Sequence, residues 1–181
     1  MNAIFIDGND LRVAEVAQVV PGLGVTVEAL QTGFSTAAPE PTHRARDKVL
    51  AHPVDVACFA EAVDLTTMDG KSLRLELDSE NENRFCKWWR ETPTKMVLAV
   101  ALRRAPGADI ELFTATCDGR IADQPAGPHK LGWDRLFVPA DADNEDELTL
   151  AQLSEAGVVV AVRRAAYGAL AQALGLAAPT A

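Results

Sequence analysis

Two stretches of this chain combine residue types and spacings that suit chemistry. Asp7-Gly8-Asn9-Asp10-Leu11-Arg12 follows four apolar residues, Ala3 to Ile6, and runs into Leu11, Val13, Val16, Ala17 and Val20 at helical spacing. A strand that turns sharply into a helix leaves N–H groups pointing outward. Gly8 permits backbone angles closed to other residues, Asn9 or Asp10 can cap the helix, and the free N–H groups attract an anion. Arg12 adds a positive charge one turn in. The second stretch, Gly127-Pro-His-Lys-Leu-Gly-Trp-Asp-Arg-Leu-Phe-Val-Pro139, sets a Trp-Asp pair between apolar segments. Gly132 allows close approach, Trp133 offers a flat surface and Asp134 accepts hydrogen bonds. The plainer readings, a turn with a surface arginine and a structural turn with a core tryptophan, stay open at this point.

The elements that must position these residues change character along the chain. After the first helix, Pro21 to Gly24 make a turn, Val25 to Leu30 reads as a second strand and Gln31 to Pro41 as a loop. Thr42 to Ala51 suits a helix and Val54 to Phe59 a third strand, so the front third alternates strand and helix as in an α/β sheet. Lys71 to Leu77 alternates strictly, as a half-exposed strand does. Asp78 to Glu91 reads as a helix with Phe85, Trp88 and Trp89 on its apolar side. Met96 to Leu102 and Ile110 to Thr116 read as paired strands, and Gly119 to Ala122 as one more. Asp141 to Glu147 is an acidic loop, and Val158 to Leu174 a closing helix. The fold class expected is α/β, a mixed central sheet with helices and a second, more antiparallel lobe.

At 181 residues the chain suits one domain or two lobes sharing a core, since domains usually run to about 100–200 residues. Its 48% hydrophobic content supports a core, and its formal net charge of −9 argues against a general binder of nucleic acid or anionic membrane, which needs a basic face. A local cationic pocket still suffices for one nucleotide. Three cysteines without metal spacing point to a reducing, cytoplasmic compartment. No leader pattern and no run of about 18 apolar residues is evident, so a soluble protein is expected.

Taken in chain order, these features resemble the inosine and xanthosine triphosphate pyrophosphatase family, which clears non-standard purine nucleotides. The family's opening T-G-N-x-x-K and following glutamate match Asp7 to Arg12 and Glu15. Its Pro-Glu loop matches Pro39-Glu40, with Lys48 on the next helix. G-F-G-[YW]-D-P-x-F matches Lys130 to Phe137, T-[FY]-A-E-[LM] matches Thr149 to Leu153, and S-H-R matches Ala161-Val162-Arg163. The chain departs from the pattern at Asp7 for threonine, Arg12 for lysine, Leu131 for the aromatic, Gly157 for lysine and Ala161-Val162 for Ser-His. The family's catalytic aspartate, in a segment after the third strand, aligns near Ala60-Glu61.

The resemblance implies one pyrophosphatase-like domain over residues 1–181, made of two lobes with a cleft between them. It implies hydrolysis of a nucleoside triphosphate to monophosphate and pyrophosphate, with Mg2+ as cofactor. Glu40 and Glu61 would be the catalytic carboxylates and the metal ligands. Gly8, Asn9, Arg12 and Lys48 would bind the phosphates, Trp133 and Asp134 the base or sugar side, and Arg163 would lie near the base. A homodimer is implied as well, with Trp88 and Trp89 as interface candidates. The departures leave a second reading: a catalytically impaired relative that binds a nucleotide or a partner protein.

Overall fold

The computed structural model describes residues 1–30, 38, 40–52, 55–73, 79–141 and 144–177, without the side chains of 79, 80 and 129–131. Its strands are β1 (Asn2–Ile6), β2 (Gly24–Glu28), β3 (Cys58–Thr67), β4 (Pro93–Arg103), β5 (Ile110–Ile121) and β6 (Phe137–Pro139). Its α-helices are α1 (Asp10–Val19), α2 (Pro41–Ala51), α3 (Ser79–Trp89), α4 (Leu150–Glu155) and α5 (Ala161–Ala173), with a 3-10 turn at His129–Arg135. The six strands lie in the order β2-β1-β3-β4-β5-β6. β1 pairs in parallel with β2 and β3, while β5 and β6 are antiparallel, so the sheet is mixed as expected. Two compact units share the chain. The first comprises residues 1–62, 98–115 and 162–181, and the second 63–97 and 116–161.

In the first unit the apolar run of β1 is buried because its sheet is covered on both faces. Ile6 joins Ala45 and Val49 of α2, Cys58, Ala60 and Ala62 of β3, and Ala99 and Ala101 of β4 in one cluster. Strand side chains alternate, so Phe5 and Phe59 point the other way; they are register partners and stack at 4.5 Å between ring centroids. Glu61 follows Phe59 by two residues and therefore shares that opposite face.

The turn after β1 works differently from its sequence reading. Asp7, not Gly8, takes the left-handed backbone conformation, at φ 58°. Gly8 is required by space: a Cβ there would lie 2.7 Å from Cδ1 of Phe5, whose ring is fully buried. Gly8→Ala should therefore lower stability by about 1–3 kcal/mol through overpacking. A drop of several degrees in the thermal midpoint checks this, and an unchanged midpoint would mean that Phe5 moves aside freely.

Other boundaries shift too. The third strand occupies Cys58–Thr67 instead of residues 54–59, so Glu61 lies within a strand and not after it. Gly119 to Ala122 is no separate strand, because β5 continues to Ile121. Of the strand expected at 71–77, residues 74–77 lie outside the described residues, as does most of the loop at 31–41; Ser72 makes an isolated bridge to Thr66.

In the second unit, the Trp-Asp segment is a 3-10 turn kinked at Gly132 and followed by β6. A buried ion pair between Arg135 and Glu82 ties that turn to α3. Trp133 meets Phe85 edge-on, with centroids 5.8 Å apart. Thr149 and Gln152 form a reciprocal capping box on α4, which accounts for the Thr149 to Leu153 pattern by helix initiation alone.

Candidate active site

Five charged or polar side chains of the first unit converge on the face of β3 that carries Glu61. Arg12 and Glu15 sit one turn apart on α1, and Arg163 and Tyr167 one turn apart on α5, so each pair shares a helix face. Arg12 Nη1 donates to Glu15 Oε2 at 2.6 Å, and its Nε lies 3.3 Å from Glu61 Oε1. Arg163 Nη1 donates to both Glu61 oxygens, at 3.3 and 3.2 Å, and its Nε is 3.6 Å from Glu15 Oε2. The Tyr167 hydroxyl donates to Glu61 Oε2 at 2.8 Å. Arg12, Glu15, Arg163 and Tyr167 are all buried, while the Glu61 side chain keeps 16% of its surface exposed.

Burial acts to raise the pKa of Glu61, but the charges of Arg163 and Arg12, the Tyr167 hydrogen bond and the charge of Lys48 outweigh it and hold the carboxyl below its ordinary value. Burial, then the neighbouring Glu61 charge, push Tyr167 well above the ordinary phenol value. The cluster therefore holds an ionised glutamate and a neutral phenol at neutral pH.

The buried face of α1 thus differs from the apolar stripe that its sequence suggests. Arg12 and Glu15 lie inward beside Val16 and Val19, whereas Ala17 is exposed. Charged residues turn inward here because each finds a partner of opposite sign at hydrogen-bond distance, which offsets their loss of water.

Next to this cluster, at the carboxyl end of β1, Lys48 of α2 donates to Asp7 Oδ2 at 2.8 Å. Carboxyl ends of parallel strands are where open α/β sheets receive ligands. Asp7 is the most exposed member of the group, its side chain at 49%, and Lys48, at 18%, is the most exposed of its cations. Asn9 is spent as the α1 cap: its Oδ1 accepts the Arg12 N–H at 3.0 Å.

Arg12, Lys48, Glu61 and Arg163 are therefore the sequence candidates that the fold brings together, and Arg12 ties them to the turn carrying Gly8 and Asn9 through the α1 cap. Arg12 and Arg163 do not project into solvent; both are built into the ion network. Glu40 is apart from the carboxylate cluster in its contacts. It precedes α2, its side chain is 66% exposed, and its ion-pair neighbour is His43 at 3.7 Å. Trp133 and Asp134 belong to the second unit, with Asp134 buried.

Glu15, which the sequence matches to the family's glutamate without giving it a role, joins the site, and Tyr167 completes it beyond the residues that the sequence singles out. A signal for Tyr167 exists: it is the chain's single tyrosine and stands four residues after Arg163.

A magnesium site at Glu40 and Glu61 does not fit these contacts. The two Glu61 oxygens already accept from two guanidiniums and a phenol, and cations in contact repel a divalent ion. No group of three or more His, Cys, Asp or Glu side chains suited to a metal occurs among the described residues. Glu40 remains as a single accessible carboxylate. All three cysteines are free, and no described helix is long and apolar enough to cross a membrane.

The sheet and its helix-covered faces define an α/β protein with a buried carboxylate–guanidinium cluster beside the carboxyl end of β1. The family model described as the Ham1 family matches residues 71–173, more than half of the chain, and the chain belongs to that family. The matched residues include Trp133, Asp134 and Arg163, and exclude the turn at Asp7, Lys48 and Glu61. Over 144 residues the chain is 26% identical to an inosine triphosphate pyrophosphatase of Tuber melanosporum (strain Mel28), covering 74% of this chain and 77% of that one. Solved structures share the fold, two of them over nearly the whole chain. The Ham1 protein of Staphylococcus aureus superposes with a TM-score of 0.63 at 19% identity, over 96% of this chain and 98% of its own. A HAM1 protein from Coxiella burnetii gives 0.65 at 15%, over 97% and 98%.

Proposed function

We propose that this chain is a nucleoside triphosphate pyrophosphatase, hydrolysing a non-standard or modified nucleotide to monophosphate and pyrophosphate. Water adds to a phosphorus of the α–β anhydride, the bridging P–O bond breaks, and one proton is released. Membership of the Ham1 family, together with the similarity to an inosine triphosphate pyrophosphatase, carries this reading.

The residues take these roles in the proposal. Lys48 meets the phosphates first, because it is the accessible cation at the turn, and phosphate oxygens compete with Asp7 for it. The backbone around Gly8 and Asn9 gives the phosphates their close approach. Arg12 and Arg163 hold Glu61 ionised and add positive potential beneath the leaving pyrophosphate. Glu61 orients the attacking water. Trp133 and Asp134 are kept as the base or sugar side. Magnesium, when bound, would neutralise phosphate charge; of the two carboxylates Glu40, exposed and facing the exposed His43 side chain, is the more open to help hold it. Magnesium usually needs no more than one or two carboxylates besides phosphates and water. A homodimer belongs to the same reading, with Trp88, 70% exposed, as its apolar contact. A cytoplasmic location is part of the same reading, and the free cysteines are compatible with a reducing compartment.

The purified protein should release pyrophosphate from at least one member of a panel of nucleoside triphosphates, standard and deaminated, with magnesium present, and should stop when the ion is chelated. No release from any of them overturns the proposal.

One observation favours a second reading, a nucleotide-binding or partner protein with impaired catalysis. Each cation near the turn is already matched internally: Lys48 with Asp7, and Arg12 and Arg163 with Glu15 and Glu61. Such a site has little net charge left for a polyphosphate. Calorimetry that finds nucleotide binding without turnover would establish this second reading.

A further inference from the structure

Three groups hold the Glu61 carboxylate, and they are not equivalent. The contacts on Oε1, from Arg163 Nη1 and Arg12 Nε, are both 3.3 Å long. Oε2 receives the Tyr167 hydroxyl at 2.8 Å, the shortest contact on the carboxylate, along with Arg163 at 3.2 Å. The guanidiniums are charged, so an arriving polyphosphate attracts them and competes with Glu61 for their N–H groups. A phenol is neutral and has no such reason to move. Tyr167 is also fully buried on α5, where phenylalanine would fill the same space; burying its hydroxyl is favourable only because an acceptor is present.

We propose that Tyr167 is a positioning residue for Glu61: its hydroxyl fixes Oε2 while the guanidiniums respond to phosphate, leaving Oε1 as the oxygen that meets the attacking water. The inference rests on the pyrophosphatase reading above and adds the residue that keeps the carboxylate aimed. A glutamate side chain has three rotatable bonds before its carboxyl group, so with both arginines shared between Glu61 and the charge of the ligand its direction depends on the neutral contact that stays.

Tyr167→Phe is the test, since it removes one oxygen and keeps the ring. The variant should fold, and its kcat on the best nucleotide of the panel should fall about tenfold, the scale of one hydrogen bond to a charged group, with KM within about twofold. A hydroxyl that served packing alone would leave kcat unchanged. A second readout does not depend on turnover. A buried phenol bonded to a carboxylate gives a slowly exchanging hydroxyl proton resonance, which should be present in the wild type, absent in Tyr167→Phe and displaced in Glu61→Gln.

A folded Tyr167→Phe protein with wild-type kcat, or a hydroxyl resonance indifferent to Glu61→Gln, overturns the proposal. A wild-type protein inactive on every triphosphate overturns instead the pyrophosphatase reading on which the proposal rests. The two failures are thus distinct.

Discussion

Glu61→Gln is expected to abolish most pyrophosphate release and to destabilise the fold at the same time. The substitution keeps the shape of the side chain but removes the charge that Arg12 and Arg163 share with Glu15. Two buried guanidiniums then lose a carboxylate that both contact, and breaking a buried ion pair from one side costs about 3–5 kcal/mol. For a chain of this size that is a fall of roughly 6–20 °C in the thermal midpoint. Activity should fall by about 100-fold or more, the usual scale for losing a positioned acid–base group.

The same variant carries a pH signature. The folded pKa of Glu61 lies below the ordinary glutamate value of 4.5, so the unfolded chain binds its proton more readily than the folded one. The stability it contributes is fully present above about pH 5 and is lost as pH falls through the depressed folded value. Thermal midpoints measured from pH 7 to pH 3 should therefore drop less steeply in Glu61→Gln than in the wild type. Equal slopes would assign the acid sensitivity to other carboxylates.

Arg163→Met has the second large effect, and for the opposite charge. Arg163 is 1% exposed and, like Arg12, contacts both Glu15 and Glu61. Without it, Glu15 and Glu61 lose a guanidinium that contacts both, and a loss of about 3–5 kcal/mol is again expected. The double variant Arg163→Met with Glu61→Gln restores the charge balance. Its loss should fall short of the sum of the single losses by about 1–3 kcal/mol, the coupling expected of residues in one network. Denaturant titration of the four proteins measures this, and simple additivity would mean that the contacts between Arg163 and Glu61 contribute little.

Much of the frame is legible in the residues themselves. The apolar run at Ala3 to Ile6, the cap at Asn9, the breaks around α2 and the long alanine-rich segment of α5 are local signals, and each element forms close to where its pattern places it. β3 is the main exception. Its residues Glu61 and Asp64 interrupt the apolar pattern, so the sequence places the strand early, at 54–59; the sheet carries it to Thr67, and those acids find partners in the fold, Asp64 in the Ser72 hydroxyl and Glu61 in the cluster. Trp133 is not the core residue that a plain reading suggests, nor a free platform; it is partly exposed and rests edge-on against Phe85.

The strand-turn-helix at Asp7 to Arg12, with its cap and its cation one turn in, is fixed by sequence, because backbone angles, capping and helical period act over a few residues. What the cation does is not fixed at that range. Arg12 turns inward because Glu61 and Arg163, from elements 49 and 151 positions further along, arrive on the same face of β3, and Lys48 becomes the accessible charge because the fold sets it against Asp7. Burial and charge pairing depend on which elements pack together. The sequence by itself therefore determined the capped strand-turn-helix and the family resemblance, and only the tertiary structure decided that its arginines hold a glutamate and that a single buried tyrosine shares that task.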